Sequence, residues 1–271
     1  MFYGRVIAKR LAQRQHEIIA ISRNTASDIV RFFGVPGQRI SVIHNGVDHE
    51  RFRPGSKETA QRVIANQHGI DAPYFLYLAR LEHPAKNHVR LIEAFNQFKK
   101  ETGSPWHLVF GGSDWHGAEE IHQQIRNSPF RGHIHSLGFI PDDDLPTLYR
   151  AAECFVYPSL FEGFGLPPVE AMACGCPVIS SARGSLAEVL GDAAIVVDPE
   201  NIIQMKQELA RVAGDAALRE HLNRTGLAHA QRFNWHDAAA RTLEVYHRAA
   251  GKEPTVLAAP APLVASSKLS G

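Results

Sequence analysis

The residues best equipped for chemistry lie together in Phe161-Glu162-Gly163-Phe164-Gly165-Leu166-Pro167-Pro168-Val169-Glu170-Ala171-Met172-Ala173. They follow the apolar run Cys154–Tyr157, which reads as a strand, so both carboxylates stand beyond a strand's carboxyl end. Glycines at 163 and 165 remove side chains where backbone N–H groups could approach a ligand closely. Pro167 and Pro168 are tolerated in a first helical turn, which predicts a helix start there. The free N–H groups and positive dipole end of such a helix attract phosphate. Glu162 then falls in the loop and Glu170 in the helix's first turn, and different surroundings imply different jobs. By spacing alone, Glu170 also reads as a carboxylate that complements the helix dipole, and Gly163-Phe164-Gly165 as a plain turn. The segment is neither a G-x-G-x-x-G nor a Walker loop. Paired carboxylates also serve glycosidases, and spacing supplies no distance to test that.

Other candidates carry less. His133 and His135 alternate on one strand face, but no third ligand accompanies them, so no metal is expected. Cys174-Gly175-Cys176 lacks the spacing of zinc or redox pairs and reads as small buried cysteines. Asp142-Asp143-Asp144 reads as a solvated turn and helix start before Leu145. His83, close to Arg80 and Lys86, is a candidate lining residue for a cleft.

These residues need elements to hold them. Residues 1–14 show helical periodicity, Ile18–Ile21 reads as a strand, and Thr25-Ala26-Ser27-Asp28 has capping-box form for a helix ending near Gly34. Ile40–Ile43 is the next strand, closing on an expected turn at Asn45-Gly46. One strand–helix–strand unit cannot bury itself and needs more sheet. After the polar stretch Arg51–Lys57 the alternation restarts: strands at Tyr74–Leu78, His107–Phe110, Ile134–Leu137, Cys154–Tyr157, Val178–Ser180 and Ala194–Val197. Helical patterns such as Val89–Lys100 separate most of them. Short apolar strands without alternation, divided by helices, predict an α/β fold with a parallel sheet covered on both faces. Ligands of such sheets sit beyond the carboxyl ends of the strands. Ile202–Ala250 is helical throughout, with Trp235–Tyr246 amphipathic, and residues 251–271 read as a disordered tail.

Composition narrows the partners. The 271 residues are 44% hydrophobic and 21% charged, ordinary for a chain with a packed core. With 29 Lys and Arg against 28 Asp and Glu, the net charge of +1 argues against nucleic acid and against a polybasic membrane anchor. No apolar run approaches the ~20 residues that span a bilayer, and no signal-peptide pattern opens the chain. The three cysteines are too few and too clustered for a disulfide framework, which suits a reducing cytoplasm.

The complete pattern is more specific than its parts. Glu162 and Glu170 with Gly-Phe-Gly-Leu-Pro-Pro between them, then Ala-Met-Ala-Cys-Gly-Cys-Pro-Val-Ile, closely resemble the signature of family 4 retaining glycosyltransferases. The resemblance extends through Tyr77-Leu78-Ala79-Arg80-Leu81 with Lys86, Leu137-Gly138-Phe139-Ile140, Asn45-Gly46-Val47-Asp48 and Phe233-Asn234-Trp235, roughly residues 18–250. It implies a GT-B fold of two Rossmann-like domains facing across a cleft. On that reading, residues 1–50 are the end of an acceptor-side domain, 51–234 the nucleotide-sugar domain and 235–250 a crossover helix. It also implies that Arg80 and Lys86 grip the donor diphosphate without a metal or other cofactor, and that Glu170 accepts from the ribose hydroxyls. Glu162 with the backbone of Gly163, Phe164, Gly165 and Leu166 would hold sugar and phosphate, and Ile140 would contact the base. The implied reaction moves a hexosyl group from a UDP- or GDP-sugar to a saccharide or lipid-linked acceptor, the latter at a membrane's inner face. The family's Gly-rich loop and acceptor-side histidine have no counterpart after Met1. The alternative is therefore a module that binds donor and transfers nothing alone, its closing helix left with an apolar face that favours self-association.

Overall fold

The computed structural model describes residues 3–251, so nearly all of the expected tail over 251–271 lies outside the described residues. Two parallel sheets organise the chain. The smaller pairs β1 (Ile18–Ala20) with β2 (Ile40–Val42). Between them run α1's successor α2 (Arg23–Asp28) and the turns ending at Gly34, while α1 itself (Lys9–Gln13) precedes β1. The larger has six strands: β3 (Tyr74–Leu78), β4 (His107–Gly111), β5 (Ile134–Ser136), β6 (Cys154–Tyr157), β7 (Val178–Ser181) and β8 (Ile195–Val197).

Every residue of β3, β6 and β7 is buried, the outcome expected of apolar strands covered on both faces. The covering helices are α3 (Lys57–His68), α4 (His88–Thr102), α5 (Ala118–Asn127), α6 (Leu145–Ala151), α7 (Leu166–Ala173), the short α8 (Leu186–Leu190), α9 (Ile202–Gly214) and α10 (Ala216–Ala230). They pack as two sets, α5 and α9 against α4, and α3, α6, α7 and α10 in succession. The last helix, α11 (Trp235–Ala249), leaves the large sheet and lies on the small one. Its Ala238 and Val245 share a buried cluster with Ile43 and Ile19, and Arg241 donates to the Val42 carbonyl at 2.7 Å. The closing helix therefore keeps part of its apolar docking face covered.

Three local expectations need correction, and one helix had not been placed. The cap of α2 is Ser22, three residues before Thr25: extended at φ −155° and ψ 161°, it accepts from Thr25 N–H at 3.0 Å. Asn45-Gly46 is no turn. The chain runs on there to a parallel bridge between Val47 and Asn234, and a Cβ on Gly46 would lie 2.3 Å from the Trp235 nitrogen, so the close approach needs glycine. The polar stretch before β3 feeds a full helix, α3, whose weak periodicity hid it. Helix α7 begins at Leu166, which puts Glu170 fifth in the helix, beyond the first turn.

The strand order β5-β4-β3-β6-β7-β8 reverses direction between β3 and β6. The chain winds outward one way from β3 and the other way from β6. At such a reversal, open α/β sheets bind ligands in a crevice outside the carboxyl ends of the strands.

Candidate functional site

The loops that flank the reversal carry the two residues singled out from sequence. Lys86 lies between β3 and α4, and Glu162 between β6 and α7. The Lys86 ammonium donates to Glu162 Oε1 at 2.7 Å, with side-chain exposures of 17% and 13%. Each strand supplies a tyrosine to hold its loop. Tyr77 donates its hydroxyl to the Lys86 carbonyl at 2.6 Å, and Tyr157 donates to Glu162 Oε1 at 2.8 Å. The two rings meet edge-on at 5.5 Å. Burial pushes the Tyr157 phenol well above its ordinary range, and the Glu162 charge adds to that, so it acts as a fixed donor.

The loops are also tied to each other. Leu160 N–H donates to the Ala85 carbonyl at 3.0 Å. Asn87, left-handed at φ 62°, donates through its side-chain amide to the carbonyls of Pro158 and Pro199. An asparagine tolerates that backbone better than most residues. The result is a cation and a carboxylate pinned at the crevice before any ligand arrives.

Glu170 belongs to a separate network. Its Oε2 accepts from the buried Tyr149 hydroxyl at 3.1 Å, the only hydrogen bond to its carboxylate among the described residues. Burial raises its pKa, against the pull of that hydrogen bond and of Arg51. A half-buried carboxylate with spare acceptor capacity is suited to hydroxyl donors. Helix α7 meets an anion differently from the sequence expectation. Of the four leading N–H positions, Pro167 and Pro168 have none, which leaves those of Gly165 and Leu166.

The description Glycosyl transferases group 1 belongs to the family model that matches residues 60–229, and Glycosyltransferase Family 4 to one that matches residues 2–51. The chain belongs to the group 1 glycosyl transferases. O-antigen chain mannosyltransferase B of Escherichia coli is 34% identical over 229 residues, covering 84% of this chain and 60% of that protein. MMP alpha-(1->4)-mannosyltransferase of Mycolicibacterium hassiacum is 30% identical over 253 residues, covering 92% and 58%. The chain thus spans less than two thirds of these relatives. Sucrose-phosphate synthase of Thermosynechococcus elongatus superposes with TM-score 0.79 at 25% identity, over 90% of this chain and 61% of that one. Anabaena HepE in complex with UDP and glucose gives 0.81 at 24%, over 89% and 66%, a likeness of fold. The α/β architecture of this group 1 glycosyl transferase is that of the GT-B structures.

The remaining expected residues fall around the pair in different ways. Arg80 is exposed, 3.5 Å from Glu82, with its guanidinium 4.8 Å over the Trp115 ring, and among the described residues it forms no ion pair with Glu162. Ile140 turns its side chain inward, where a Cβ on Gly111 would lie 2.9 Å from it, so a base could meet only its backbone. Gly163 offers its carbonyl to Ser22 and Thr25, and Phe164 is buried against His44 and Phe233. The cysteines at 154, 174 and 176 are buried free thiols, as expected. His83 is half-buried with its Nδ1 unpartnered among the described residues. His133 closes a 3-10 turn just before β5 while His135 lies within the strand, so the two do not alternate on one strand as expected; His107 of β4, which that expectation left out, lies 2.8 Å from His135 and packs on His133. Among the described residues no group of three His, Cys, Asp or Glu is placed to hold a metal ion, and no helix is long and apolar enough to cross a membrane.

Sequence reasoning passed over Tyr77, Tyr149 and Tyr157. The signal was a tyrosine near the end of an apolar strand or helix, where a buried hydroxyl needs a partner. It also passed over Glu188, whose partners are more than a hundred residues away in the chain.

Proposed function

We propose that the chain holds a nucleotide sugar and supports retaining hexosyl transfer to a saccharide or lipid-linked acceptor. The observation that carries this reading is the Lys86–Glu162 pair, 2.7 Å apart, at the reversal of a Rossmann-type sheet. Lys86 holds the donor diphosphate, with Arg80 swinging off Glu82 and Trp115 to join it. Together the two cations neutralise the charge that develops on the leaving phosphate, so the reaction needs no metal. The Gly165 and Leu166 N–H groups add two donors for the same phosphate. Glu170 accepts from the ribose hydroxyls with the capacity Tyr149 leaves free, and the Ile140 backbone meets the base.

In the transfer, the anomeric carbon's bond to the diphosphate oxygen breaks as the acceptor oxygen attacks the same face. The acceptor's proton passes to the departing phosphate oxygen, so no side chain serves as general base. Glu162 faces the positive charge that develops on the sugar and orients it, held in place by Tyr157. The mannosyltransferase names of the relatives support mannose as the hexose, and the UDP named in a similar structure supports a nucleoside diphosphate as its carrier. A chain that binds donor without transferring it uses the same residues, and release of free sugar or product from a nucleotide sugar separates the two readings.

Replacing Lys86 tests the site directly. Lys86→Ala is expected to weaken nucleoside diphosphate binding about 10- to 100-fold, the scale of a lost charged hydrogen bond. Calorimetry reads the loss while circular dichroism checks the fold. Unchanged affinity would remove Lys86 from the donor site.

A further inference from the structure

We infer that Ser22 and Thr25, held in place by Glu188, are positioning residues for the Glu162 loop, and that they set its grip on the sugar of the donor. The inference rests on the donor-site reading above. Two peptide carbonyls define the path of that loop, and each is anchored from a different element. The Glu162 carbonyl accepts from the Ser185 N–H and the Ser185 hydroxyl, each at 3.0 Å. The Gly163 carbonyl accepts from the Ser22 hydroxyl at 3.0 Å and the Thr25 hydroxyl at 3.3 Å. Ser185 leads α8, and Ser22 and Thr25 open α2, so the loop is held between two short helices.

Glu188 ties those helices together. Its carboxylate accepts from the Arg23 N–H at 2.9 and 3.0 Å, the Asn24 N–H at 3.3 Å and the His44 ring at 2.7 Å. Burial alone would raise this carboxyl, yet these donors hold it below its ordinary value, so the charged form is the one the network keeps. His44 also packs its ring on Phe164, two residues beyond Glu162, with centroids 5.8 Å apart.

The protons are consistent. Ser22 Oγ accepts from Thr25 N–H at 3.0 Å and is fully buried, so its own proton goes to the Gly163 carbonyl or to Thr25 Oγ1, 2.9 Å away. Thr25 then donates its proton to Gly163. In either arrangement the two hydroxyls form one network that ends on the Gly163 carbonyl, although α2 buries no residue of its own. A capping serine needs only the Thr25 N–H; the reach across to Gly163 is additional.

The test uses the full chain and four variants: Thr25→Val, Ser22→Ala, Glu188→Gln and the conservative Thr25→Ser. Hydrogen exchange over residues 161–166 reports the loop, and calorimetry reports UDP or GDP beside the matching nucleotide sugar. Thr25→Val keeps the cap, so it remains informative if Ser22→Ala unfolds. The expected result is faster exchange in the first three and a loss of about 3- to 10-fold in affinity for the nucleotide sugar. Affinity for the free diphosphate stays within about 2-fold, and Thr25→Ser behaves as the parent. Unchanged exchange, or an equal loss for both ligands, would overturn the inference. A parent chain that binds diphosphate and sugar donor alike, with the variants' faster exchange still seen, would instead remove the sugar role of Glu162 and this positioning role with it.

Discussion

Glu162 is bound by two donors, Lys86 and Tyr157, and only one of them carries charge. Removing the carboxylate's charge and keeping its shape therefore has an asymmetric effect. Glu162→Gln frees the Lys86 ammonium for phosphate, so a free diphosphate is expected to bind at least as tightly as in the parent. Transfer of the sugar should fall by about 100-fold or more, because the group facing developing positive charge is gone. Titration and a turnover assay on one preparation read both effects, and a matching loss in each would assign Glu162 to the phosphate instead. Glu170 differs in kind. Truncating it to alanine strands the buried Tyr149 hydroxyl at a cost of about 1–3 kcal/mol, so Glu170→Gln is the cleaner probe of ribose binding.

Elements deliver these side chains through close backbone contacts, and Gly184 is the sharpest of them. It sits at φ +64°, and a Cβ there would stand 2.3 Å from the Glu162 carbonyl oxygen. Gly69 has a similar φ of +67° with nothing within 4 Å, so it isolates the backbone penalty alone. Both alanine variants should lose about 1–2 kcal/mol from the left-handed conformation. Only Gly184→Ala should also weaken sugar-donor binding, and thermal melts paired with titrations distinguish them. Much of this level was legible beforehand. Strands β3 to β8 announce themselves as apolar runs, and the two prolines mark the start of α7 within a residue. What stayed hidden depended on partners remote in sequence. Ser22 caps α2 where Glu188 and Gly163 also hold that end of the helix, and the start of α11 lies so close to Gly46 that no side chain fits there. Glu162 and Lys86 were legible as site residues, but their direct pairing was not, since a strand order is needed to bring their loops together.

At the scale of the molecule, buried histidines predict a loss of stability in mild acid. His88 lies under Tyr77 with both ring nitrogens unpartnered among the described residues, and burial, with Lys86 and His83 nearby, lowers its pKa to about 3. Burial and the two neighbouring histidines lower His107 to about 4. A folded pKa below the ordinary value of 6.5 means the unfolded chain takes up the proton first. The stability is therefore complete above about pH 6.5 and drains away as pH falls toward 4 and 3. His88 alone accounts for ~2 kcal/mol at pH 5. Urea unfolding at pH 7.5 and pH 5 should show that loss in the parent, and His88→Phe should recover most of it; an equal loss in both would clear His88 of the effect.

As proposed, the crevice between β3 and β6 takes a nucleoside diphosphate through Lys86. The measurement that tests it most directly is calorimetric titration of the full chain with UDP, GDP and ADP in the presence of a chelator, followed by the matching nucleotide sugars. Saturable binding of one base in preference to the others is expected, weakened at least about 10-fold in Lys86→Ala. Binding of no diphosphate, or equal binding by the parent and Lys86→Ala, would contradict it.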